Sequence, residues 1–556
     1  MAVEVKASEP VPGALPEPPQ APLPSTSGRL AASAFGLYVL AALPIVVLGL
    51  GRYHWFLGDD WDFLSDRQAG SVGDLMRPHA EHWSTVPVLL SRIEWNLFGF
   101  HYRAYQAVTM ILHLAAAVLL RVVMRRAGVH PWIATAAAAI FVLFGPGDQN
   151  MLWSFQIGMV GTLVFGLLHL ILADHDGRWR RSDWLGLGAG LLGLMSSGIG
   201  PIMVAVVGVA VLIRRGWRMA AFHTVPLGVI FLGWFVAYRD QQPESRGHVG
   251  PRALWDWLYQ AALGLFGGLG YYPVVAAALA VVLVVGLAVA WVPLISSRCW
   301  TLLRRQASLP VALMAGAVAF HFVTANSRWS FGSGVARSSR YIHVGALFVL
   351  PALAVAGHGL ARRWRTALPL VVILFLIPVP FNLRWFDPDK TFFNEPYHRH
   401  RRLQVEGIAW SDEAEEVSPS QRPVRDVLGG EGPSVGWLLE GRRDGRIPDP
   451  GPLSRSLQQE IRIRLGVAQS GSIADDQAAE GRRCRTYRGA LELAPQRGDT
   501  FVFLDPIAVG LQGAGRGPRL GISYTPFAGQ DLRIALDGLQ LRLQPAPPAK
   551  TFRLCS

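Results

Sequence analysis

The sequence predicts a polytopic α-helical membrane protein of about eleven transmembrane helices, followed by a C-terminal, mainly-β domain of sandwich or jelly-roll type. Apolar residues make up 51% of the chain and charged residues only 16%, against roughly 25% charged residues in soluble domains. Apolar runs of bilayer-crossing length, about 17–25 residues, recur up to Trp385. Beyond that residue the apolar runs shorten to strand length. A bundle of membrane helices and a separate β-domain account for this change.

Three regions follow from the composition. Residues 1–29 are rich in proline and lack the charged start, apolar core and cleavage site of a secretory signal. We therefore expect a disordered cytoplasmic tail there. Residues 30–385 form the predicted transmembrane domain, with a long loop at 51–103 that is called the first loop below. Residues 386–556 form the predicted extracytoplasmic β-rich domain.

The placement of arginine predicts the orientation. Every second loop between the apolar runs is basic, and the positive-inside rule makes these loops cytoplasmic. The N-terminus is then cytoplasmic, whereas the first loop and the C-terminal domain lie outside the cytoplasmic membrane. The net charge of +13 would suggest nucleic acid for a soluble protein, but membrane orientation explains it and no nucleic-acid partner is expected. The predicted spans are 31–50, 104–124, 131–145, 155–173, 184–197, 199–213, 221–238, 271–295, 309–325, 341–361 and 367–385.

Short apolar runs separated by Gly, Pro or Asp predict the β-domain, and several of them alternate apolar with polar residues. A helix near 453–465 precedes them. Cys484 and Cys555 bracket these runs, and outside the cytoplasm a disulfide between them can persist. Closing so long a loop would stabilise the fold by roughly 4 kcal/mol in the chain-entropy model; two free buried thiols are the alternative. The predicted strands lie at 501–504, 520–524, 532–536 and 539–543.

An acidic cluster directly follows the first apolar run. Asp59, Asp60 and Asp62 lie close together there, next to the predicted membrane surface, where charge is costly and usually functional. A solvated acidic loop is the alternative, because runs of charge commonly face water. The rest of the chain favours a functional cluster, since it places further polar residues on the same predicted side.

The first loop also carries His79, Glu81 and His82. These side chains could hold a metal or contact a phosphate. A His-x-Glu-His sequence without a further ligand is a poor metal signature. We therefore predict hydrogen bonds to the substrate rather than a metal site for these three residues.

The next turn on the same predicted side combines amides with an aromatic ring, through Gln149, Trp153 and Gln156. Amides and aromatic faces are the groups that bind sugars, so we predict substrate contacts. An aromatic belt residue at the membrane interface is the alternative for Trp153. That alternative does not explain the two glutamines.

A later loop on this side is basic, with Arg328, Arg337 and Arg340 followed by Tyr341. Guanidinium groups bind phosphate through a planar pair of donors. The alternative is snorkelling of arginines at helix ends towards lipid headgroups. A phosphate-bearing lipid at the membrane surface would be a natural partner for this loop.

Three of these features together resemble the GT-C glycosyltransferases. They are the acidic pair after the first span, an amphipathic helix at 86–98 in the first loop, and an Arg-Tyr motif that opens a late span. Members include protein mannosyltransferases, lipid A aminoarabinose transferases and mycobacterial arabinosyltransferases, which are integral membrane enzymes that use polyprenyl-phosphate sugars. The resemblance covers residues 30–385 and rests on short motifs.

The resemblance implies roles for individual residues. One Asp of the pair would be the catalytic base, with Asp59 favoured over Asp60. Arg337 and Arg340, with Tyr341, would bind the phosphate of the donor. A divalent cation could assist at the Asp pair, although some members of the family act without one, and no other cofactor is implied.

The implied reaction is transfer of a sugar from a polyprenyl-phosphate donor to a hydroxyl of a glycan, lipid or protein acceptor. A carboxylate accepts the proton of the hydroxyl, and arginines offset the charge that grows on the departing phosphate. The partners are therefore the lipid-linked donor, the acceptor and the bilayer. The enzyme would transfer a hexose or pentose during synthesis of the cell envelope.

Three other classes stay open at this point. A lipid or sugar transporter, such as a flippase, usually places ionisable groups in its membrane helices, and here His113, His169 and His321 are candidates. An O-antigen-ligase-like enzyme would share the arginines but would not need the acidic pair. A scaffold protein would act through its C-terminal domain. Loss of turnover on substitution of Asp59 is required only of the glycosyltransferase.

Overall fold

Long apolar runs form helices in the first two-thirds of the chain, and alternating runs form strands in the last part. The structure, a computed structural model, describes residues 26–177, 179–241, 249–387, 394–424, 432–469, 483–505, 507–513, 522–524, 530–545 and 549–555. Most of the predicted tail at 1–29 lies outside the described residues. The helices are α1 (Thr26–Pro44), α2 (Asp60–Ser65), α3 (Val72–Met76), α4 (Thr85–Phe98), α5 (Tyr102–Arg126), α6 (Pro131–Val142), α7 (Gln149–Leu152), α8 (Ile157–Ala173), α9 (Arg181–Leu194), α10 (Gly200–Arg215), α11 (Trp217–Ala237), α12 (Pro251–Gly270), α13 (Pro273–Ser296), α14 (Trp300–Arg328), α15 (Ser339–Arg363), α16 (Ala367–Leu376), α17 (Pro378–Asn382), α18 (Glu395–Ala409), α19 (Val435–Arg443) and α20 (Arg455–Leu465).

Helices occupy all eleven positions at which the sequence predicts a span. Within the described part of the chain, eight helical segments are long and apolar enough to cross a membrane. The predicted spans at 131–145, 184–197 and 199–213 correspond to α6, α9 and α10, which have 12, 14 and 16 residues. The chain is thus a multi-pass membrane protein, and eleven crossings stay a prediction. The eight long segments are Thr26–Leu50, Tyr102–Arg126, Ser154–Ala173, Trp217–Ala237, Pro273–Ser296, Trp300–Phe331, Ser339–Arg363 and Ala367–Phe386.

One long helix is absent from the sequence prediction. Helix α12 has 20 residues, and its apolar residues are interrupted by Arg252 and Asp256, so no apolar run of bilayer length marks it. It packs against α13 and against the short turn Ser333–Arg337 that precedes α15. The helix therefore packs against the loop that carries the predicted phosphate-binding arginines and helps to fix its position.

The core of the bundle is built around α15. Every residue of this helix from 341 to 357 is buried, whereas α13 has only a small part of its surface buried within the protein. Gly286 of α13 permits their close approach, because a Cβ at that position would lie 2.5 Å from the carbonyl oxygen of Ala356. An all-apolar helix such as α13 that faces outward has lipid as its natural environment.

The first loop folds into three short helices, α2, α3 and α4. One side of helix α4 is buried and the other is exposed. Val88 and Trp95 lie on the buried side. Leu89, Ile93 and Leu97, four residues apart, form an exposed apolar stripe on the other. This is the amphipathic helix that the sequence predicts at 86–98. An exposed apolar stripe of this kind suits a membrane interface.

Helices α18, α19 and α20 pack onto the first loop. Buried aromatic side chains of the loop share one hydrophobic cluster with Ile408, Leu438 and Ile461. Trp95 stacks on Trp437 with ring centroids 4.4 Å apart, and the Trp55 amide donates to Nδ1 of His398 at 3.2 Å. The region after residue 386 therefore begins with helices that belong to the same core as the first loop.

Two antiparallel sheets follow these helices. In β8 the residues Leu539, Leu541 and Leu543 are buried while the residues between them are exposed, the alternation expected of a strand with one face on a core. The sheets have the strand orders β1-β7-β4-β9-β2 and β3-β8-β5-β6, and apolar side chains of both meet in one cluster. The predicted fold class is therefore confirmed as a polytopic membrane protein with a C-terminal β-sandwich. The strands are β1 (Val467–Gln469), β2 (Cys484–Arg488), β3 (Leu491–Leu493), β4 (Thr500–Phe503), β5 (Ile507–Gly513), β6 (Ile522–Tyr524), β7 (Gln530–Ile534), β8 (Leu539–Pro545) and β9 (Thr551–Cys555).

A disulfide joins two neighbouring strands of the first sheet. Cys484 and Cys555 are directly opposite each other in the β2–β9 pair, and their Cα atoms are 4.0 Å apart. Because β2 is the edge strand of its sheet, the bond ties that edge to the strand beside it. Cys299, just before α14, is exposed and free.

Candidate active site

One cavity brings together most of the predicted site residues. It has a volume of about 460 Å³ and lies between the first loop, the turn that joins α9 to α10, and the adjoining ends of α8, α14 and α15. Carboxylates, imidazoles and guanidinium groups from distant parts of the chain line it. The predicted residues that line the cavity are Asp59, His79, Glu81, His82, Gln156, Arg340 and Tyr341.

The two carboxylates of the acidic pair have different surroundings. Asp59 lines the cavity, and its side chain is 32% exposed. Asp60 is only 4% exposed and accepts hydrogen bonds from the backbone amide of Leu57 at 3.0 Å, from Nε1 of Trp153 at 3.0 Å and from Oγ of Ser154 at 2.6 Å. Burial raises the pKa of Asp60 to about 7, although these hydrogen bonds act in the opposite direction. Asp60 therefore lies behind the cavity wall.

His79 links the carboxylate in the cavity to a second carboxylate. Its Nδ1 lies 2.7 Å from Oδ2 of Asp62, and its Nε2 lies 3.7 Å from Oδ1 of Asp59. The rings of Phe63 and Phe155 pack against the imidazole, with centroids 5.3 and 5.1 Å away. The short contact assigns the Nδ1 proton to the bond with Asp62, so Nε2 is the nitrogen that faces Asp59.

A buried arginine holds Asp62 in place. Burial alone would raise the pKa of Asp62, but the hydrogen bonds and charges of His79 and Arg67 lower it to about 2. Arg67 is 2% exposed; besides its bond to Asp62 it donates to the carbonyl oxygens of Arg77 at 2.6 Å and Pro78 at 3.0 Å. The same guanidinium thus fixes both Asp62 and the backbone just before His79.

Glu81 pairs with an arginine from the end of α14. Oε1 of Glu81 lies 2.6 Å from Nη2 of Arg328. Burial acts to raise the pKa of Glu81, but the neighbouring His82 and Arg328 lower it below its usual value. Glu81 is therefore an ionised carboxylate that positions Arg328 in the cavity wall.

His82 connects the first loop to the turn between α9 and α10. Its Nδ1 accepts a hydrogen bond from the Gly198 amide at 3.1 Å. Burial lowers the pKa of His82 to about 4, and Arg328 and Arg340 act in the same direction. The imidazole is therefore neutral at pH 7, with its remaining N–H on Nε2. This turn contains no charged residue. Its backbone and the side chains of Ser196 and Ser197 are therefore the polar groups that it contributes to the cavity lining.

Arg340 and Tyr341 begin α15 at the far wall of the cavity. The Arg340 guanidinium lies over the Tyr341 ring at 5.2 Å, and its buried Nε has no hydrogen-bond partner among the described residues. Asn150 donates to the Arg340 carbonyl at 3.3 Å. Gln156 is 2% exposed, and its Nε2 likewise has no partner in the described part of the chain. Both side chains therefore offer donors to a ligand.

Four predicted residues are not part of this cavity lining. Asp60 and Trp153 form the hydrogen bond behind the wall. Gln149 donates through its backbone amide to Ser339 at 3.2 Å. Arg337 packs on α12, where a Cβ on Gly264 would lie 3.1 Å from its Cγ. Asp59 and Arg340 therefore line the same cavity, whereas Asp60 and Arg337 lie outside its lining.

Sequence reasoning missed two parts of the site. Arg328 was noted in the basic loop but was not assigned to phosphate binding, and its partner Glu81 lies 247 positions away. Asp62 was noted only as part of the acidic cluster. The contact between His79 and Asp62 spans 17 positions and follows no helical or strand period, so no local pattern predicts it.

Apolar side chains form much of the remaining cavity wall. The charged groups therefore share the cavity with apolar side chains of the membrane helices. These apolar residues are Met159, Ile202, Phe231, Phe320 and Val323. Within the described ranges, no three His, Cys, Asp or Glu side chains are grouped to hold a metal ion. The residues present can take a phosphate at the arginines and a proton at Asp59.

No family model matches the chain, and no curated protein matches it. Solved structures similar in fold include those of ArnT from Cupriavidus metallidurans in the apo state and bound to undecaprenyl phosphate. Each is 14% identical to this chain; they cover 79% and 80% of it and 93% of their own chain, with TM-scores of 0.43 and 0.41. At these values the likeness identifies neither a family nor an activity.

Proposed function

We propose that the protein is a membrane glycosyltransferase that moves a sugar from a polyprenyl-phosphate donor to a hydroxyl of a glycan, lipid or protein acceptor. The observation that carries this proposal is the single cavity that holds a carboxylate, Asp59, together with two arginines, Arg328 and Arg340. The reaction would take place on the outer face of the cytoplasmic membrane, in line with the arginine distribution.

Asp59 is the base in this proposal. It is the member of the acidic pair that lines the cavity, whereas Asp60 is enclosed by its hydrogen bonds. His79 gives the Asp59 carboxylate a neighbour that can receive a proton, because Nε2 of His79 lies 3.7 Å from Oδ1 of Asp59. The Asp59 carboxylate can take the proton of the acceptor hydroxyl and pass it to Nε2. Asp62, held ionised by Arg67, then stabilises the charged imidazole.

The arginines are the phosphate site in this proposal. Arg340 has a buried Nε without a partner among the described residues, and a phosphate oxygen is the acceptor that would satisfy it. Arg328 is oriented by Glu81. The apolar walls that continue from these charges would take the first units of the polyprenyl chain.

The step balances in atoms and charge. A bond forms between the acceptor oxygen and the anomeric carbon, and the bond between that carbon and the phosphate oxygen breaks with its electron pair. The hydroxyl proton goes to Asp59. The polyprenyl phosphate leaves with one more negative charge, which Arg340 and Arg328 offset.

The proposal is tested with Asp59→Asn and Asp60→Asn, two equal changes at neighbouring positions. The purified protein in nanodiscs is given a panel of radiolabelled polyprenyl-phosphate sugars together with a cell-envelope extract as the source of acceptor hydroxyls, and loss of the sugar from the lipid is measured. Asp59→Asn should lower transfer by about 10²–10⁴-fold with donor binding retained. Asp60→Asn, behind the wall, should lower transfer much less and should mainly reduce stability, by about 1–3 kcal/mol.

Arg340→Ala completes the test, since it should weaken donor binding and turnover together. Full transfer by Asp59→Asn would reject the base and would favour a ligase-like enzyme that needs only the arginines. Movement of the intact lipid-linked sugar across the bilayer, without its cleavage, would make the protein a transporter.

A further inference from the structure

A second cavity lies at the other end of α15. It has a volume of about 220 Å³, and residues of α13, α14 and α15 form most of its lining. Arg340, in the first cavity, and Arg362, in this one, are separated along α15 by about 33 Å at the helical rise per residue. That length matches the roughly 30 Å of a bilayer's hydrocarbon core. The two cavities therefore face opposite surfaces of the membrane.

The lining of this second cavity is cationic. Arg362, Arg363 and His358 contribute to it, and none of its described lining residues is an Asp or Glu. Arg125 and His130 act electrostatically on His358 as well. The Nδ1 atom of His358 is buried without a hydrogen-bond partner among the described residues. Such a cluster lacks an anion, and a phosphate supplies both the charge and the acceptor atoms.

The other wall of the cavity is apolar and belongs to α13, through Val289, Pro293 and Leu294. Helix α13 faces outward beside this wall, where Val292 and Ile295 are about half exposed, at 57% and 47%. An anion that reaches the cavity from the bilayer would bring apolar chains that this face can contact. A free phosphate would use none of these surfaces.

We propose that this second cavity binds the phosphate headgroup of an anionic phospholipid, in the membrane leaflet opposite the candidate active site. Arginines at a helix C-terminus are common because they offset the helix dipole. That role accounts for Arg362 and Arg363 but not for the unpartnered imidazole nitrogen or the apolar wall. Basic pockets between membrane helices are a recurring form of lipid headgroup site.

The experiment is native mass spectrometry of the full-length protein in mixed micelles titrated with phosphatidylglycerol, which yields an apparent dissociation constant. The variant Arg362→Gln/Arg363→Gln should bind phosphatidylglycerol about 30-fold more weakly, since each basic residue near a lipid surface contributes about 1 kcal/mol. His358→Gln should weaken binding several-fold and tests the site should the double variant fail to fold. Phosphatidylcholine, which carries no net charge, should bind weakly to every form.

The matched control is Arg304→Gln/Arg365→Gln, which removes the same charge from exposed positions outside the lining. It should bind phosphatidylglycerol as the unchanged protein does. Equal losses in the two double variants, or wild-type binding by Arg362→Gln/Arg363→Gln and by His358→Gln, would overturn the proposal. Displacement of the lipid by inorganic phosphate at similar concentrations would overturn the assignment to a lipid headgroup. None of these outcomes bears on sugar transfer, because this cavity is remote from Asp59.

Discussion

At the scale of single residues, the first loop contains carboxyl groups in opposite electrostatic states. Asp62 is kept ionised by Arg67 and His79, with its pKa lowered to about 2. Glu94 of α4 is 5% exposed, and its Oε1 has no partner among the described residues. Burial therefore raises its pKa to about 9, and the nearby Asp60 acts in the same direction. At pH 7 Glu94 is a neutral acid in the core beneath the site.

The raised pKa of Glu94 makes stability depend on pH. Between its ordinary pKa, about 4.3, and 9, the folded protein holds a proton that the unfolded chain has lost. Stability should therefore fall as pH rises through this window, by up to about 1.4 kcal/mol per pH unit for one group. Glu94→Gln, which resembles the neutral acid, should match the wild type near pH 4 and exceed it near pH 9.

Thermal denaturation of both proteins across this pH range measures the effect. The pKa of Asp60 is raised in the same direction, to about 7. The stability of the variant should therefore still fall with rising pH, but less steeply than that of the wild type. A Glu94→Gln protein that loses stability with pH as steeply as the wild type would show that Glu94 is ionised in the folded state.

At the scale of structural elements, the site depends on how the first loop docks on the bundle. Trp83 of the loop stacks on Trp234 of α11 with parallel rings 5.1 Å apart, and Nε1 of Trp234 donates to the Met76 carbonyl at 2.8 Å. His82 then meets the Gly198 amide in the α9–α10 turn. The loop and the turn are therefore held together at the cavity.

Gly198→Ala should disturb this junction. A Cβ at Gly198 would lie 2.5 Å from Nδ1 of His82, too close for the imidazole to keep its place. We expect transfer to fall by at least about ten-fold, from a displacement of site groups by about 1 Å, with a smaller effect on the melting temperature. Gly188→Ala on α9, where a Cβ would meet nothing within 4 Å, is the control and should transfer sugar normally. Equal activity of the two variants would mean that His82 has no part in the site.

The sheet edge gives a second prediction at this scale, through the disulfide of Cys484 and Cys555. The chain has three cysteines, and Cys299 is exposed. The denatured, unreduced protein should react with one equivalent of a maleimide, at Cys299, and with three equivalents after reduction. Mass spectrometry of the labelled peptides identifies the positions. Label on Cys484 and Cys555 before reduction would show that the pair is not bonded.

At the scale of the whole molecule, the two ends of the helix bundle differ. The first loop, the carboxylate–arginine cavity and the C-terminal domain lie at one end of the bundle, because the loop shares its core with α18–α20. The other end carries the arginines of the basic loops. Cys299, between α13 and α14, lies at that second end.

The native cysteine therefore reports orientation. If the basic loops are cytoplasmic, Cys299 should resist a membrane-impermeant maleimide in intact cells and should react once the membrane is permeabilised. A Cys299→Ser variant provides the background. Labelling of Cys299 in intact cells would reverse the orientation and would place Asp59 inside the cell.

Much of the fold could be predicted because apolar run length is a local property that a bilayer translates directly into helices. Helix α12 was missed because Arg252 and Asp256 break its apolar run. Strand β2 was not predicted because four of its five residues are exposed, so it lacks the apolar face of a half-buried strand.

At the site, the occurrence of charged residues next to predicted spans was enough to select Asp59 and Arg340 as candidates, and both line the cavity. The family resemblance favours Asp59 over Asp60, but nothing in the sequence chooses between Arg337 and Arg340. Neighbouring residues at a helix start point about 100° apart, so tertiary packing decides whether Asp59 or Asp60 is enclosed, and α12 decides the position of Arg337.

The core shared by the first loop and α18–α20 has a consequence for biosynthesis. The contacts of Trp55 with His398 and of Asp66 with Arg422 join positions 343 and 356 residues apart. A ribosome makes the N-terminal part first, so the loop leaves the insertion machinery long before its partner helices exist. The aromatic side chains of the first loop therefore stay without these packing partners until α18–α20 have been translated. In a nascent chain stalled before α18, the aromatic side chains of the first loop would lack the partners that complete their core.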